Sequence, residues 1–235
     1  MEENIVQSDS TRRITNKVKF MNQMFSGCSA LKNIDVSHFD TSNTTNMNSM
    51  FSGCRSLLSI DVSGFNTKNV TKMGSLFYNC MSLVELDASG FDTSNVTDMN
   101  QMFSNCENLK ELSVYGFDTK NVTSMRNMFN RCSGLKSIDV GSFDTSKVTD
   151  MYRMFNRCSK LKSIDLTSFD TRNVVDAAKM FSNCSSLTKI EVSEKFVLTD
   201  LDKLQTEEIF TACPAKVMLN GQSISSDKWL KQITL

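Results

Sequence analysis

The sequence predicts an α/β repeat fold: a right-handed solenoid with one parallel sheet, short helical turns on the other side and a C-terminal cap. The prediction rests on a cysteine, a phenylalanine and a leucine that each recur every 26 residues. Phenylalanine precedes each cysteine by three positions, and leucine follows it by three. A single short unit cannot bury its apolar side alone, so we expect the units to stack around one continuous core. The repeated cysteines are Cys28, Cys54, Cys80, Cys106, Cys132, Cys158 and Cys184.

Each repeat unit divides into three segments. The segment L-x-x-I-D-V-S alternates apolar residues, as at Ile34 and Val36, and predicts a short strand with one buried face. The run F-D-T-S-N consists of turn formers and predicts a corner. In V-T-x-M-x-x-M-F-x-x-C, the apolar residues are spaced by 3, 3, 1 and 3 positions, which favours one or two turns of α or 3₁₀ helix.

The repeats define three parts of the chain. Residues 1–17 are predicted to form an N-terminal lead-in or cap, residues 18–193 the seven repeats, and residues 194–235 a C-terminal cap. Within the C-terminal part, the segment that begins at Thr199 predicts an amphipathic helix, and Asn220-Gly221 predicts a hairpin turn. A cap of this kind would cover the open edge of the last coil, as stacked repeats require.

The unit also resembles a known family. The run L-x-x-I-x-V-x-x-F matches leucine-rich repeats at its first apolar positions and departs where Phe39 replaces the usual Asn or Cys. With M-F-x-x-C-x-x-L and F-D-T-S-N-V-T, the whole unit resembles the BspA-like leucine-rich-repeat surface proteins, in the branch found among mycoplasma lipoproteins. The resemblance implies a leucine-rich-repeat-like solenoid, a place on the cell surface and adhesin-like binding. The N-terminus has no apolar signal region, which favours a cytoplasmic location instead and leaves the localisation open.

Composition and motifs limit the possible functions. Lys+Arg and Asp+Glu both number 26, so no global field directs the chain toward nucleic acid or an anionic membrane. The sequence has no membrane-spanning apolar stretch, no phosphate-binding loop, no nucleophile elbow and no zinc-protease motif. His38 is the only histidine, and it has no distinctive cysteine partner for nucleophilic catalysis. We therefore predict a protein that is not an enzyme and that binds no cofactor or metal.

The cysteine ladder is predicted to be structural. Each ladder cysteine lies between apolar residues, so we expect buried, reduced thiols, with disulfides between adjacent coils or a metal as alternatives. Cys213 lies outside the ladder and receives no assigned role.

A row of aspartates and a row of asparagines each allow a structural and a functional interpretation. Outward aspartates on neighbouring strands would repel one another unless lysines, backbone donors or Ca²⁺ offset their charge. The N-x-T motifs resemble glycosylation sequons, but their register with the repeat favours a structural asparagine ladder. The aspartates are Asp35, Asp61, Asp87, Asp139 and Asp165, and the asparagines are Asn43, Asn69, Asn95 and Asn121.

The candidate binding site is a basic ridge on the predicted helical side, where the units differ from one another. Stacking should place its residues together, although a solvated charged face is the alternative interpretation. We predict a macromolecule-binding scaffold with a protein partner. The alternative is an intracellular regulator or inhibitor of a nucleic-acid enzyme that binds RNA, DNA or an acidic protein face. Oligomeric state is not indicated. The ridge consists of Arg126, Arg131, Tyr152, Arg153, Arg157 and Lys160.

Overall fold

The repeat units form coils that stack in register. The computed structural model describes residues 15–198 and 208–224. Each coil is joined to the next by a parallel β-bridge, and successive bridge residues are one repeat apart. The bridges therefore align every residue with its counterpart in the neighbouring coil. The bridge residues are Phe20, Asn46, Lys72, Asp98, Ser124, Asp150 and Asp176.

Six short strands form two separate sheets among the described residues. Strands β1 (Glu85–Asp87) and β2 (Glu111–Ser113) make a parallel pair. Strands β3 (Ser163–Leu166), β4 (Lys189–Val192) and β5 (Lys216–Leu219) are parallel, and β6 (Gln222–Ile224) pairs antiparallel with β5. The predicted single continuous sheet is therefore wrong.

The extended segment of each coil is short because turns confine it on both sides. In the second coil, the amide of Leu57 closes a turn on the carbonyl of Cys54 at 3.1 Å. The carboxylate of Asp61 then accepts the amide of Ser63 at 2.9 Å and begins the next turn. Only a few residues are left to pair between coils, so the inter-coil strands that form are three or four residues long.

The predicted helical turns are also wrong, and with them the α/β class. No residue from 16 to 198 is helical. The amides of Ser49, Phe51 and Gly53 donate to carbonyls of the next coil at 2.7–3.0 Å, while those of Met50, Ser52 and Cys54 bond three residues back. A helix needs every interior amide to bond within its own segment. Consecutive turns that alternate with inter-coil bonds take its place.

Two backbone positions in each coil are left-handed, which further excludes a helix. Ser49 has a φ of 57°, and Gly53 has a φ of 74°. Consecutive turns with these reversals still direct the repeated apolar side chains inward, so their spacing imitates that of a helix. The first series is Gln23, Ser49, Ser75, Gln101, Asn127, Arg153 and Lys179, and the second is Gly27, Gly53, Asn79, Asn105, Arg131, Arg157 and Asn183.

Stacked aromatic rings fill the core. The phenylalanines that precede the cysteines form one ladder from Phe25 to Phe181, with ring centroids 5.4–6.0 Å apart and planes within 13°. A second ladder runs from Phe65 to Phe169 at 6.2–6.5 Å. Near-parallel rings at these separations combine burial with favourable aromatic contacts.

At the corners of the coils, ladders of polar side chains form hydrogen bonds with the backbone. The buried Thr119 hydroxyl donates to the carbonyl of Asp144 at 2.8 Å. The Asn121 side-chain amide donates to the carbonyl of Ser94 at 2.9 Å, and the asparagines at the three earlier sequons make the same bond, as predicted for a structural ladder. The outward aspartates accept backbone amides two residues ahead, so backbone donors stabilise their charge.

The C-terminal residues continue the stack. The Phe210 ring stacks on Phe181 at 5.7 Å, and β5 extends the sheet formed by β3 and β4. Asn220 and Gly221 have φ values of 49° and 77° and connect β5 to β6, which confirms the predicted hairpin turn. Most of the helix predicted from Thr199 and most of the N-terminal lead-in lie outside the described residues.

Removing one phenylalanine ring from the aromatic ladder should destabilise the whole stack. We expect Phe103→Ala to lower the free energy of unfolding by about 3–5 kcal/mol, because the ring is fully buried between Phe77 and Phe129. Phe103→Leu should lose much less. Urea unfolding followed by circular dichroism measures both changes, and a loss below about 1 kcal/mol in the alanine variant would contradict the stacked core.

Candidate functional site

The predicted basic ridge separates into two groups. In the first group, Arg126 and Arg153 each contact the ring of Tyr152. Arg131 and Arg157 line a common groove in the second. Lys160 is exposed, and among the described contacts it bonds to neither group. Stacking thus brings together five of the six predicted residues as two clusters.

The first group is held by ion pairs between coils. The Arg126 guanidinium lies 4.0 Å from the Tyr152 ring centroid, and its Nη1 atom lies 3.2 Å from Asp150 Oδ2 and 3.3 Å from Asp176 Oδ2. Burial opposes its charge, but the hydrogen bonds and charges of the two aspartates raise the pKa of Arg126 above its ordinary value. Arg126 therefore joins three coils, and much of its charge is compensated within the protein.

The second group forms an open groove. Arg131 and Arg157 occupy the same position in adjacent coils and line a space of about 320 Å³ with Ser133 and Ser159. Arg131 Nη1 lies 3.9 Å from Glu107 Oε1, whereas Arg157 makes no ion pair within the described part of the chain. Both arginines are exposed. We call this space the arginine groove.

The backbone beneath the arginine groove is unfavourable for arginine. Arg131 and Arg157 have φ values of 60° and 61°, in the left-handed region that favours glycine and asparagine. Every other coil has one of those two residues at this position, namely Gly27, Gly53, Asn79, Asn105 and Asn183. The conformation costs arginine about 1 kcal/mol. The glycine or asparagine before five of the seven ladder cysteines was the sequence signal that could have revealed this geometry.

The cysteine ladder consists of buried thiols in six coils. From Cys54 to Cys184, each Sγ donates to the carbonyl of a phenylalanine in the preceding coil at 3.1–3.2 Å. All described cysteines are free, so no disulfide joins adjacent coils in the structure. Cys28, in the first coil, is exposed and departs from the predicted burial, and Cys213 is half-buried.

A second concave surface lies on the strand side. It encloses about 920 Å³ across four coils, and we call it the strand-face cleft. Its aspartates were expected from the sequence to be offset by lysines, backbone donors or Ca²⁺, whereas Glu85, Glu111 and Tyr115 were missed. The same comparison between units that identified the basic ridge would have found them, because their counterparts in most coils are small. The charged and aromatic lining residues are Asp61, Glu85, Asp87, Lys110, Glu111, Tyr115 and Asp139.

Neither a metal-binding cluster nor a membrane-spanning helix is found in the described residues. Residues 15–198 and 208–224 contain no group of three or more histidine, cysteine or acidic side chains placed to hold a metal ion. In the same ranges, no helix is long and apolar enough to cross a membrane.

These features define a class of protein: a stack of short coils with a common core and variable outer surfaces. The particular family follows from a family model that matches residues 2–115 and again residues 102–213. That family is described as "Mycoplasma protein of unknown function, DUF285", and the chain belongs to it. No curated protein is similar enough to the chain to give a match.

The ladder thiols should be unreactive in the native protein. Burial raises the pKa of Cys54 to about 11 and that of Cys106 to about 12, above the ordinary value of about 8.5. Alkylation at pH 8 should therefore modify Cys28 readily and Cys213 slowly, and denaturation should make all 8 cysteines reactive.

The same pKa shifts predict a loss of stability at alkaline pH. The unfolded chain ionises its thiols from about pH 8.5, while the folded chain keeps their protons until the raised pKa. The contribution of the protonated thiols to the free energy of unfolding is fully present below about pH 8.5. It should be lost as the pH rises through 11 and 12, the pKa values of the folded chain. In the alkylation experiment, modification of the six ladder thiols from Cys54 to Cys184 in the native protein at pH 8 would contradict the buried ladder.

Replacing an arginine of the arginine groove by glycine should stabilise the fold. We expect Arg157→Gly to raise the free energy of unfolding by about 0.5–1 kcal/mol, because glycine adopts a φ of 61° without strain. Asn183→Gly changes the same position in the next coil and should gain less, since asparagine already tolerates this conformation. Chemical denaturation compares the two variants. A clear loss of stability in Arg157→Gly would show that the arginine side chain stabilises the fold.

Proposed function

We propose that the protein is a non-enzymatic scaffold that binds another protein through the arginine groove and the neighbouring Tyr152 and Arg153. The observation that carries the proposal is the presence of Arg131 and Arg157 where the backbone favours glycine or asparagine. Residues in unfavourable conformations are concentrated at functional sites, where the strain is offset by other gains. Arginine and tyrosine are also enriched among residues that dominate binding energy.

The mixed charge of this region favours a protein partner over nucleic acid. Asp150 and Asp176 pair with Arg126, and Glu107 lies beside Arg131. A nucleic-acid surface gains affinity by presenting cations to successive phosphates, and nearby carboxylates oppose that. Paired charges around the partly buried ring of Tyr152 are more typical of the polar rim of a protein interface.

The resemblance of the repeat unit supports a role in binding but leaves the location open. The match is to a mycoplasma repeat family, and the unit resembles the BspA-like surface proteins. An adhesin-like role at the cell surface is consistent with that resemblance. An intracellular interaction protein would use the same arginine groove, because the groove requires neither a membrane nor a cofactor.

Paired baits test the proposal. We expect the wild-type protein to capture a protein from extracts of its natural surroundings that the R131A/R157A variant does not capture. For that partner, calorimetry should show that Arg153→Ala and Arg157→Ala each weaken binding by about 1–3 kcal/mol. Their thermal stability should remain within about 0.5 kcal/mol of the wild type. Arg55→Ala removes an exposed arginine outside the groove and serves as the matched control.

Two outcomes would contradict the proposal. Unchanged affinity in both arginine variants would move the site away from the groove. Capture of RNA or DNA, with affinity that falls steeply as salt rises, would replace the protein partner with nucleic acid.

A further inference from the structure

Two adjacent coils carry glutamate at a strand position where the other coils have neutral residues or lysine. Glu85 in β1 and Glu111 in β2 are register partners in the parallel pair. Neither makes an ion pair among the described residues. The corresponding residues elsewhere are Asn33, Ser59, Ser137, Ser163 and Lys189.

This placement opposes folding. Neighbouring strands lie roughly 4.8 Å apart, so like charges in register repel one another and destabilise the pair. Serine at both positions, as in the coils on either side, would remove the repulsion without changing the buried face. The two glutamates therefore contribute something other than stability of the isolated chain.

An exposed aromatic ring lies at the same cleft. Tyr115 follows β2 and is 71% exposed, the largest exposure among the described large apolar side chains. Its counterparts in neighbouring coils, Ser89 and Gly141, are small. An exposed tyrosine ring beside carboxylates is suited to a cation, which its face attracts directly.

The remaining lining makes the cleft suitable for long basic side chains. Five carboxylates line it, those of Asp61, Glu85, Asp87, Glu111 and Asp139, against one ammonium group, that of Lys110. Between them lie the partly buried apolar side chains of Ile60, Leu112 and Ile138. Lysine and arginine combine an aliphatic stem with a charged end, and both parts would be accommodated here.

We propose that the strand-face cleft binds an extended lysine- or arginine-rich segment of a partner protein. The carboxylates of Glu85 and Glu111 pair with its basic groups, the Tyr115 ring receives one of them, and the apolar floor contacts the stems. Charge complementarity selects this partner. The cleft shares no residue with the arginine groove, so the two proposals are independent.

A cationic segment fits this cleft better than a metal ion does. Asp61, Asp87 and Asp139 each use one carboxylate oxygen to accept a backbone amide at 2.9 Å. No three acidic groups in the described ranges are close enough together to coordinate one ion. Separate carboxylates distributed along the strands instead match charges distributed along an extended chain.

Binding of fluorescein-labelled octa-arginine, followed by anisotropy at physiological salt, tests the proposal. We expect E85Q/E111Q to bind at least about tenfold more weakly than the wild type, because two ion pairs are lost. Tyr115→Ser should also weaken binding. Glu194→Gln removes one exposed carboxylate outside the cleft and should leave the affinity unchanged. The melting temperature of E85Q/E111Q should equal or exceed that of the wild type, which separates lost binding from lost folding.

Three results would overturn the proposal. The first is unchanged affinity in E85Q/E111Q. The second is an equal loss in Glu194→Gln, which would indicate attraction to acidic residues anywhere on the surface. The third is a wild-type oligomer in sedimentation that E85Q/E111Q dissociates, because the occupant would then be a second copy of this chain. If the R131A/R157A variant still binds octa-arginine but no longer captures the protein partner, the two surfaces act separately.

Discussion

Hydrogen bonds between coils fix the register on which the rest of the structure depends. The amides of Gln101, Asn127 and Arg153 donate to carbonyls of the next coil at 2.8–3.0 Å, and the same bonds recur along the stack. Each residue consequently lies beside its own counterparts 26 positions away. Core phenylalanines therefore stack on the phenylalanines of neighbouring coils, and each buried threonine hydroxyl donates to a backbone carbonyl of a neighbouring coil. One inward substitution therefore affects two interfaces.

This register explains which parts of the fold could be predicted from the sequence. The period and the buried Phe, Met, Leu and Cys positions are visible because identical residues recur at identical spacing. The Asn ladder and the hairpin turn at Asn220 are visible for chemical reasons that a short segment contains. The helices were predicted wrongly because consecutive turns direct the same side chains inward. The backbone reversals at residues such as Asn79 distinguish the two arrangements.

The candidate site was predictable in composition but not in pairing. Comparison of the units identified Arg126, yet its partners Asp150 and Asp176 come from two other coils, 24 and 50 residues away. Those contacts depend on how far a long side chain extends across the stack, which a linear pattern does not contain. The strand-face cleft was missed for a different reason: its aspartates recur with the period of the repeat, whereas Glu85 and Glu111 depart from it in only two coils.

Both surfaces show how a stack of similar coils can separate recognition from stability. Inward positions are nearly invariant because each contacts its own copy, so variation is concentrated at outward positions. At both surfaces the variation opposes a local preference: arginine occupies a left-handed backbone at Arg157, and glutamate faces glutamate at Glu85 and Glu111. The two surfaces have opposite charge in a chain with no net charge. Attraction from each is screened beyond about 8–10 Å at physiological salt, so partners are selected by these local surfaces and not by the field of the whole molecule.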